Sequence, residues 1–316
     1  MVPEVVTFGE TMVLLAANEI GPLRFASTFT RFVAGTESNV AIGLARLGHS
    51  VAWSSRVGDD EFGQLVINTV RGEGVDTRGV IVDAAAPTGL VLKEKREVGP
   101  RKVLYYRAGS AASRLAPSDL DAHQIGSARW LHVTGVTMAI SSSARETVRA
   151  AVEMARDRDV KVSFDPNMRL RLWTREQARA AMCEILPYCD VVLPGIDEAE
   201  MLTGESDARR AANALRSLGA ASAVVKLGAD GALAVTAHEQ VQVPGIRLER
   251  IVDPVGAGDG FAAGFLSGTL RGLGLAESVR WGNIVGGLAM TATGDTEGLP
   301  TRREVEELRL DQDVAR

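Results

Sequence analysis

Short apolar runs, most of them rich in valine, recur along the chain and alternate with longer segments of helical period, and this alternation constrains the fold more than any other feature. The runs are Val5 to Phe8, Val51 to Arg56, Trp130 to Val133, Val160 to Phe164, Val191 to Leu193 and Ala223 to Leu227. Their near-continuous apolar character is what strands buried on both faces require. Between them the helical period marks Asn39 to Leu47, which sets Val40, Leu44 and Leu47 on one face, then Ser142 to Arg158, Arg175 to Leu186, Ala208 to Leu218, Gly258 to Arg271 and Ala276 to Thr293. Strand–helix alternation of this length predicts an α/β fold, with a mostly parallel central sheet covered by helices on both sides. Gly231 to Thr236, after the turn Gly228-Ala229-Asp230-Gly231, reads as a hairpin partner and makes one sheet edge antiparallel.

Two segments break the alternation. Residues from about 11 to 32 and from about 87 to 109 are β-prone with no helix between strands. In the second, Thr88 to Lys95 and Lys102 to Arg107 flank Val98-Gly99-Pro100-Arg101, a good hairpin turn. They predict a small projecting β-sheet, inserted in a single domain spanning 1–316. Ligands of open α/β sheets bind outside the carboxyl ends of the strands, so such a sheet would serve as a lid. Thr301 to Arg316 is polar and reads as a surface helix.

Composition excludes several function classes. Hydrophobic residues make up 46% and charged residues 24%, the balance of a globular chain. A formal net charge of −5 gives no electrostatic reason to expect nucleic acid or an anionic membrane as partner. No stretch approaches the roughly 20 apolar residues of a membrane span, and Met1-Val2-Pro3-Glu4 lacks the basic start of a secretory signal. Cys183 and Cys189 read as small core residues of a reducing, cytoplasmic compartment. His49, His123, His132 and His238 have no metal-ligand spacing and read as packed or surface side chains.

The chemistry concentrates in Asp253-Pro254-Val255-Gly256-Ala257-Gly258-Asp259-Gly260-Phe261-Ala262-Ala263-Gly264. Gly256 and Gly258 let backbone N–H groups turn toward one point, and the helix that follows adds its positive N-terminal end. Such a turn holds an anion, including the charge on a transferring phosphoryl group. Asp259, in the first helical turn, is placed to accept a hydroxyl proton beside it. Tight strand–helix packing is the plainer reading of the glycines alone. No Gly-Lys-Ser/Thr follows, so this is not a Walker loop. Its late position argues against a dinucleotide fingerprint.

Asp253 to Asp259, with Phe261-Ala262-Ala263-Gly264 behind, resembles the C-terminal signature of the ribokinase (PfkB) family of carbohydrate kinases. The N-terminal signature is similar to Ala34-Gly35-Thr36-Glu37-Ser38-Asn39-Val40-Ala41 with Leu44-Ala45-Arg46-Leu47-Gly48, and the spacing to Val57-Gly58-Asp59-Asp60-Glu61-Phe62-Gly63 also matches. The resemblance implies a ribokinase-like three-layer α/β/α domain and ATP with Mg2+ as cofactors; it leaves a monovalent cation open. It also implies a small-molecule sugar substrate and a homo-oligomer formed through the lid. Carried over residue by residue, it makes Gly256, Ala257 and Gly258 the anion hole and Asp259 the catalytic base. Glu198 falls on the family's Asn-x-x-Glu element near magnesium, but Gly195 stands where the asparagine would be; a first-turn helix carboxylate is the alternative reading. Lys226, Gly228 and Gly231 match the nucleotide-side turn, and Asn283 a position near the adenine, with a helix-surface asparagine as alternative. Gly35 and Asn39 match positions that meet sugar hydroxyls; an N-cap role for Asn39 competes.

Tyr105-Tyr106-Arg107-Ala108-Gly109-Ser110-Ala111, Asp165-Pro166-Asn167-Met168-Arg169 and Gly294-Asp295-Thr296-Glu297-Gly298 resemble 2-keto-3-deoxygluconate kinases of that family. That likeness implies substrate contacts from Tyr105, Arg107, Arg169 and Asp295, and a planar guanidinium suits a sugar-acid carboxylate. Val91 departs from the pattern, standing where a second lid tyrosine is common. A fructokinase, ribokinase or nucleoside kinase on the same scaffold is the rival within the class. A nonenzymatic sugar-binding regulator and a hydride-transferring enzyme are the rivals outside it.

Overall fold

The computed structural model describes residues 2–98 and 102–314. Among these residues the strands are β1 (Val5–Phe8), β2 (Met12–Ile20), β3 (Phe29–Ala34), β4 (Val51–Gly58), β5 (Val80–Asp83), β6 (Leu90–Lys95), β7 (Val103–Tyr106), β8 (Trp130–Thr134), β9 (Lys161–Asp165), β10 (Val191–Val192), β11 (Ala223–Lys226), β12 (Ala232–Val235) and β13 (Gln240–Val243). The helices are α1 (Thr36–Arg46), α2 (Glu61–Gly72), α3 (Ala122–Ser127), α4 (Gly135–Ile140), α5 (Ser142–Arg156), α6 (Arg175–Ile185), α7 (Ile196–Thr203), α8 (Ala208–Ser217), α9 (Ala257–Leu270), α10 (Leu275–Ala289) and α11 (Arg302–Val314).

A nine-stranded sheet runs in the order β13-β12-β11-β10-β9-β8-β1-β4-β5. It is parallel from β5 to β11 and antiparallel at β11-β12-β13. Successive side chains feed opposite cores, as the period of two dictates. Val5, Trp53, Val191 and Val224 enter the core shared with α1, α2, α9 and α10, whereas Val6, Ala52, Val192 and Val225 enter the one shared with α3 to α8. This double burial is why the strands read as unbroken apolar runs. Cys189 is buried in the second core and Cys183 lies at its edge, both as free thiols. His132 is fully buried on β8, pushed down to about 3 by desolvation and by the Lys226 charge. His49 is packed between Glu4 and Ser267, and His123 and His238 are exposed.

A separate four-stranded sheet, β3-β2-β6-β7, corresponds to the expected lid. β2 pairs antiparallel with β3 and parallel with β6, and β6 pairs antiparallel with β7. Except for Val98, the expected turn at Val98-Gly99-Pro100-Arg101 lies outside the described residues.

The sequence reading left out several elements. β5 and β13 are four-residue edge strands: β5 holds only the short run Val80 to Val82, largely half-buried or exposed, and β13 alternates glutamine with valine. α2 carries a clear signal in hindsight: the Asp60 carboxylate accepts the Gly63 N–H at 2.7 Å, and Val66, Ile67 and Val70 face the core. α10 ends at Ala289, short of the expected Thr293.

Candidate active site

The parallel strands end at one rim, and the polar residues gather there. Asp165 is the last residue of β9 and Lys226 the last of β11. The Lys226 ammonium donates to the Asp165 carboxylate at 2.8 Å, with both side chains largely buried. Burial opposes the lysine's charge, but Asp165, Glu198 and Asp259 outweigh it and hold the ammonium above its ordinary pKa.

Helix α9 begins beside this pair. Gly256 caps it in the left-handed region at φ 83, and a Cβ there would lie 2.5 Å from the Asp295 carbonyl oxygen, so both backbone and space require glycine. The first intrahelical bond is Gly260 N–H to the Gly256 carbonyl at 2.8 Å. The N–H groups of Ala257, Gly258 and Asp259 therefore stand before the helical ladder, and half-exposed Ala257 and Gly258 leave the approach open. A Cβ at Gly258 would sit 3.4 Å from the Lys226 Nζ, which brings that ammonium to the same turn.

Asp259 is 6% exposed and held at both oxygens. Asn39 Nδ2 donates to its Oδ2 at 2.7 Å, and Asn167 Nδ2 donates to its Oδ1 at 3.1 Å. Burial pushes its pKa up to about 7; the Asn39 bond lowers it and the charges of Asp165 and Asp295 raise it. Gly35 is the N-cap of α1, so Asn39 lies inside the helix and the N-cap reading of Asn39 is corrected. Gly35 is needed because a Cβ there would meet the Glu10 carbonyl at 2.5 Å. The Oδ1 of Asn39 is buried with no hydrogen-bond partner among the described residues.

Glu198 is the third residue of α7. Its Oε1 accepts the Met168 N–H at 2.7 Å and its Oε2 accepts the Gly195 N–H at 2.8 Å. It thus caps its own helix and ties down the loop after β9. Burial raises its pKa, and Asp165 adds to that. Among the described residues no group of three or more His, Cys, Asp or Glu forms a ready metal cage. Asp165 and Glu198 are nonetheless a carboxylate pair whose mutual repulsion the Lys226 ammonium offsets in part and a second cation would relieve further. One or two carboxylates are the usual protein share of a Mg2+ that also binds substrate phosphates.

Of the residues expected on the nucleotide side, Asn283 and Gly231 meet at one backbone segment, Val243 to Gly245. Asn283 donates from Nδ2 to the carbonyls of Val243 and Pro244 at 3.1 and 3.0 Å. It is a buried clamp, and the helix-surface alternative is corrected. Gly231, at φ 87, packs against the backbone of Val243 to Gly245, so its close approach is to its own chain. Gly228, at φ 61, faces open space.

The expected substrate residues divide. Asp295 is buried; desolvation pushes it up to about 6 against the opposing charge of Lys93, while Asp253 and Glu297 raise it and an Asn39 hydrogen bond lowers it. Arg169 is exposed, donates to the Met168 carbonyl at 3.1 Å, and its charge lowers the Asp259 pKa. Arg107 is turned inward, ion-paired to the buried Glu10. Tyr105 is exposed on β7, directly opposite Val91 of β6.

Two residues of the cluster were not singled out from sequence. Asn167 has a positive φ of 34, its N–H donates to Asp165 Oδ1 at 3.1 Å, and its amide reaches both Asp259 and Thr36. Asp-Pro-Asn directly after a strand is an Asx-turn signal that could have marked it and Asp165.

Residues 2–302 match the profile of the pfkB family carbohydrate kinases. The 2-dehydro-3-deoxygluconokinase of Bacillus subtilis is 41% identical over 304 residues, 96% of this chain and 94% of that protein. The enzyme of the same name from Thermoproteus tenax is 37% identical over 307 residues, 96% and 93% of the two chains. A candidate ribokinase II from Escherichia coli, solved in complex with ATP and Mg2+, has a TM-score of 0.91 at 27% identity, covering 98% of this chain and 99% of the other.

Proposed function

The chain belongs to the pfkB family of ATP-dependent carbohydrate kinases, with the ribokinase-like fold, and from that premise we propose that it phosphorylates the primary 6-hydroxyl of 2-keto-3-deoxygluconate (2-dehydro-3-deoxygluconate). One observation carries the chemistry: a buried carboxylate near neutrality, Asp259, held between two amides in the turn whose N–H groups lead into α9. A general base works best when its pKa lies near the working pH.

In this reading Asp259 accepts the hydroxyl proton as that oxygen bonds to the γ-phosphorus and the bond from phosphorus to the leaving ADP oxygen breaks. The Ala257 and Gly258 N–H groups, with the Lys226 ammonium, receive the charge that spreads over the phosphoryl oxygens. Bound with the nucleotide, Mg2+ supplies charge screening, and Asp165 and Glu198 are the residues that fit it. Asn283 and the Gly228–Gly231 turn form the nucleotide wall. Asn39 offers its unpaired Oδ1 to a sugar hydroxyl, and its amide keeps Asp259 oriented. Arg169 is the cation available to a sugar-acid carboxylate, Tyr105 and Asp295 receive sugar hydroxyls, and Arg107 lends its charge from behind Glu10.

A neutral ketohexose is the second reading. It is favoured by Val91 standing opposite Tyr105 and by Glu10 already neutralising Arg107. ADP release with Mg-ATP against 2-keto-3-deoxygluconate, 2-keto-3-deoxygalactonate, gluconate, fructose, ribose and adenosine decides between them. Preference for the keto-deoxy acids upholds the proposal. Preference for fructose keeps the kinase and Asp259 but moves the substrate. We read the free edges of the lid, β3 and β7, as the surface through which two copies pair, a state that light scattering on the purified protein measures. The free thiols support a cytoplasmic setting; among the described residues no helix is long and apolar enough to cross a membrane.

A further inference from the structure

Strand β6 of the lid carries a basic side chain into the rim of the main sheet. Lys93 follows Val91 by two residues on β6 and shares its face, the one packed inward with Met12, Leu14 and Ala34. Its ammonium is ion-paired to the Asp253 carboxylate, with side chains 12% and 3% exposed. Asp253 stands at the root of the glycine-rich turn. Its Oδ1 accepts the Val255 N–H at 3.4 Å, and its own N–H donates to the Met290 carbonyl at 3.3 Å. On the far side the turn is hemmed by Asp295, whose carbonyl lies where a Gly256 Cβ would be.

We propose that Lys93 is a positioning residue of the lid, which acts through Asp253 to hold the 253–258 turn in the geometry that receives the phosphoryl group. Taking an aspartate and a lysine out of water costs several kcal/mol per ion, recovered only while the two touch. The pair therefore makes two placements interdependent: β6 over the cleft, and Asp253 beneath the turn. When the lid lifts, the Asp253 carboxylate loses the Lys93 ammonium, and the turn it braces is held less firmly at its root. When the lid seats, the N–H groups of Ala257 and Gly258 are set before chemistry begins, as preorganised stabilisation demands. The substrate that draws the lid down thus completes the cradle without touching it.

Only the kinetic arm of the test rests on the kinase reading above. In Lys93→Met, which keeps the apolar stem and loses the charge, kcat on the best acceptor should fall by on the order of 10²-fold, the scale of a misplaced reacting group. The KM for ATP should stay within about twofold. Lys93→Arg should recover most of the loss, and adding Lys93→Met to Asp253→Asn should cost little beyond Asp253→Asn alone. In the ligand-free protein, hydrogen exchange of the 255–260 amides should accelerate roughly tenfold in Lys93→Met while the later turns of α9 keep their protection. A rise in sugar KM with kcat intact would reduce Lys93 to a strap on the lid and overturn the proposal. So would additive effects of the two substitutions, or unchanged exchange at 255–260. If no acceptor is phosphorylated by the unaltered enzyme, the kinase reading fails, and the exchange arm still decides whether Lys93 governs the turn.

Discussion

The two sheets of this molecule are held in place by different balances of apolar and polar contacts. The nine-stranded sheet is buried on both faces, and its strands hand alternate side chains to two separate apolar cores. One face of the lid sheet has a small buried cluster, Met12, Leu14, Ala34 and Val91, with Phe32 and Val103 beside it, and the other sends Val13 and Val33, flanked by Leu15 and Leu90, into the core shared with α1, α2, α9 and α10. Leu104, Tyr105 and Tyr106 of its β7 edge are exposed. Polar contacts complete the docking: Lys93 to Asp253, Arg107 to Glu10, and Arg171 Nη1 to the Val103 carbonyl at 3.1 Å. Apolar burial at roughly 25 cal/mol per Å² accumulates over nine strands far more than over the few lid side chains that are buried. The main sheet is thus a deeply buried platform and the lid a thinly buried cover, and the candidate site lies on the seam between them.

The largest effect that could break this comparison is catalytic. Asp259→Asn should lower kcat by roughly 10²–10⁴-fold, with a melting temperature equal to or above that of the parent. The parent carboxylate is costly to ionise where it is buried, so losing it removes a strain on the platform. Thermal melts run beside the ADP assay test both halves, and a large loss of stability would mean that Asp259 also holds the platform together. Next comes the core. Phe164→Ala, in the platform, should cost about 3–5 kcal/mol in urea unfolding. Leu14→Ala, in the lid, should cost about 2 kcal/mol, the low end of that scale, and should raise sugar KM more than it lowers global stability. Equal losses from the two would erase the distinction between deeply and thinly buried parts.

A smaller effect follows pH. With Asp259 at about 7, the base is protonated on the acid side, so kcat/KM should fall as pH drops below about 7, by tenfold per unit well below it. Asn39→Ala removes a hydrogen bond that lowers the Asp259 pKa and should move this limb to higher pH. The sign for folding is opposite. A carboxylate raised from 3.8 to about 7 contributes stability at low pH that is lost as pH rises through 7, and pH-dependent melts should show that component vanish in Asp259→Asn. The smallest effect lies at the lid edge. Tyr105→Phe should raise sugar KM about 2- to 10-fold, the worth of one hydrogen bond, leaving ATP KM and melting unchanged.

What the sequence disclosed follows the same division. β1 is read at its true bounds because a doubly buried strand is a continuous apolar word. β13, with glutamine and valine alternating on an edge, carries no such word. Asp259 and its glycines were legible because their chemistry is written in consecutive residues. Asn167 and Asp165 were not singled out, since what they do depends on partners 92 and 61 positions away. Arg107 reads as a cation for the cleft; only folding brings Glu10 against it. Asn39 was ambiguous between cap and ligand until Gly35 took the cap.

The parallel pairing of β2 with β6 also sets a schedule for the growing chain. The β2–β3 hairpin is synthesised early, yet the strand that completes its sheet arrives only after α1, β4, α2 and β5 have been made. Until then β2 keeps an unsatisfied edge, and the side of the hairpin bearing Leu14 and Phe32 has nothing to cover it. A chain stopped short of residue 90 would hold that edge open for good and would be prone to self-association.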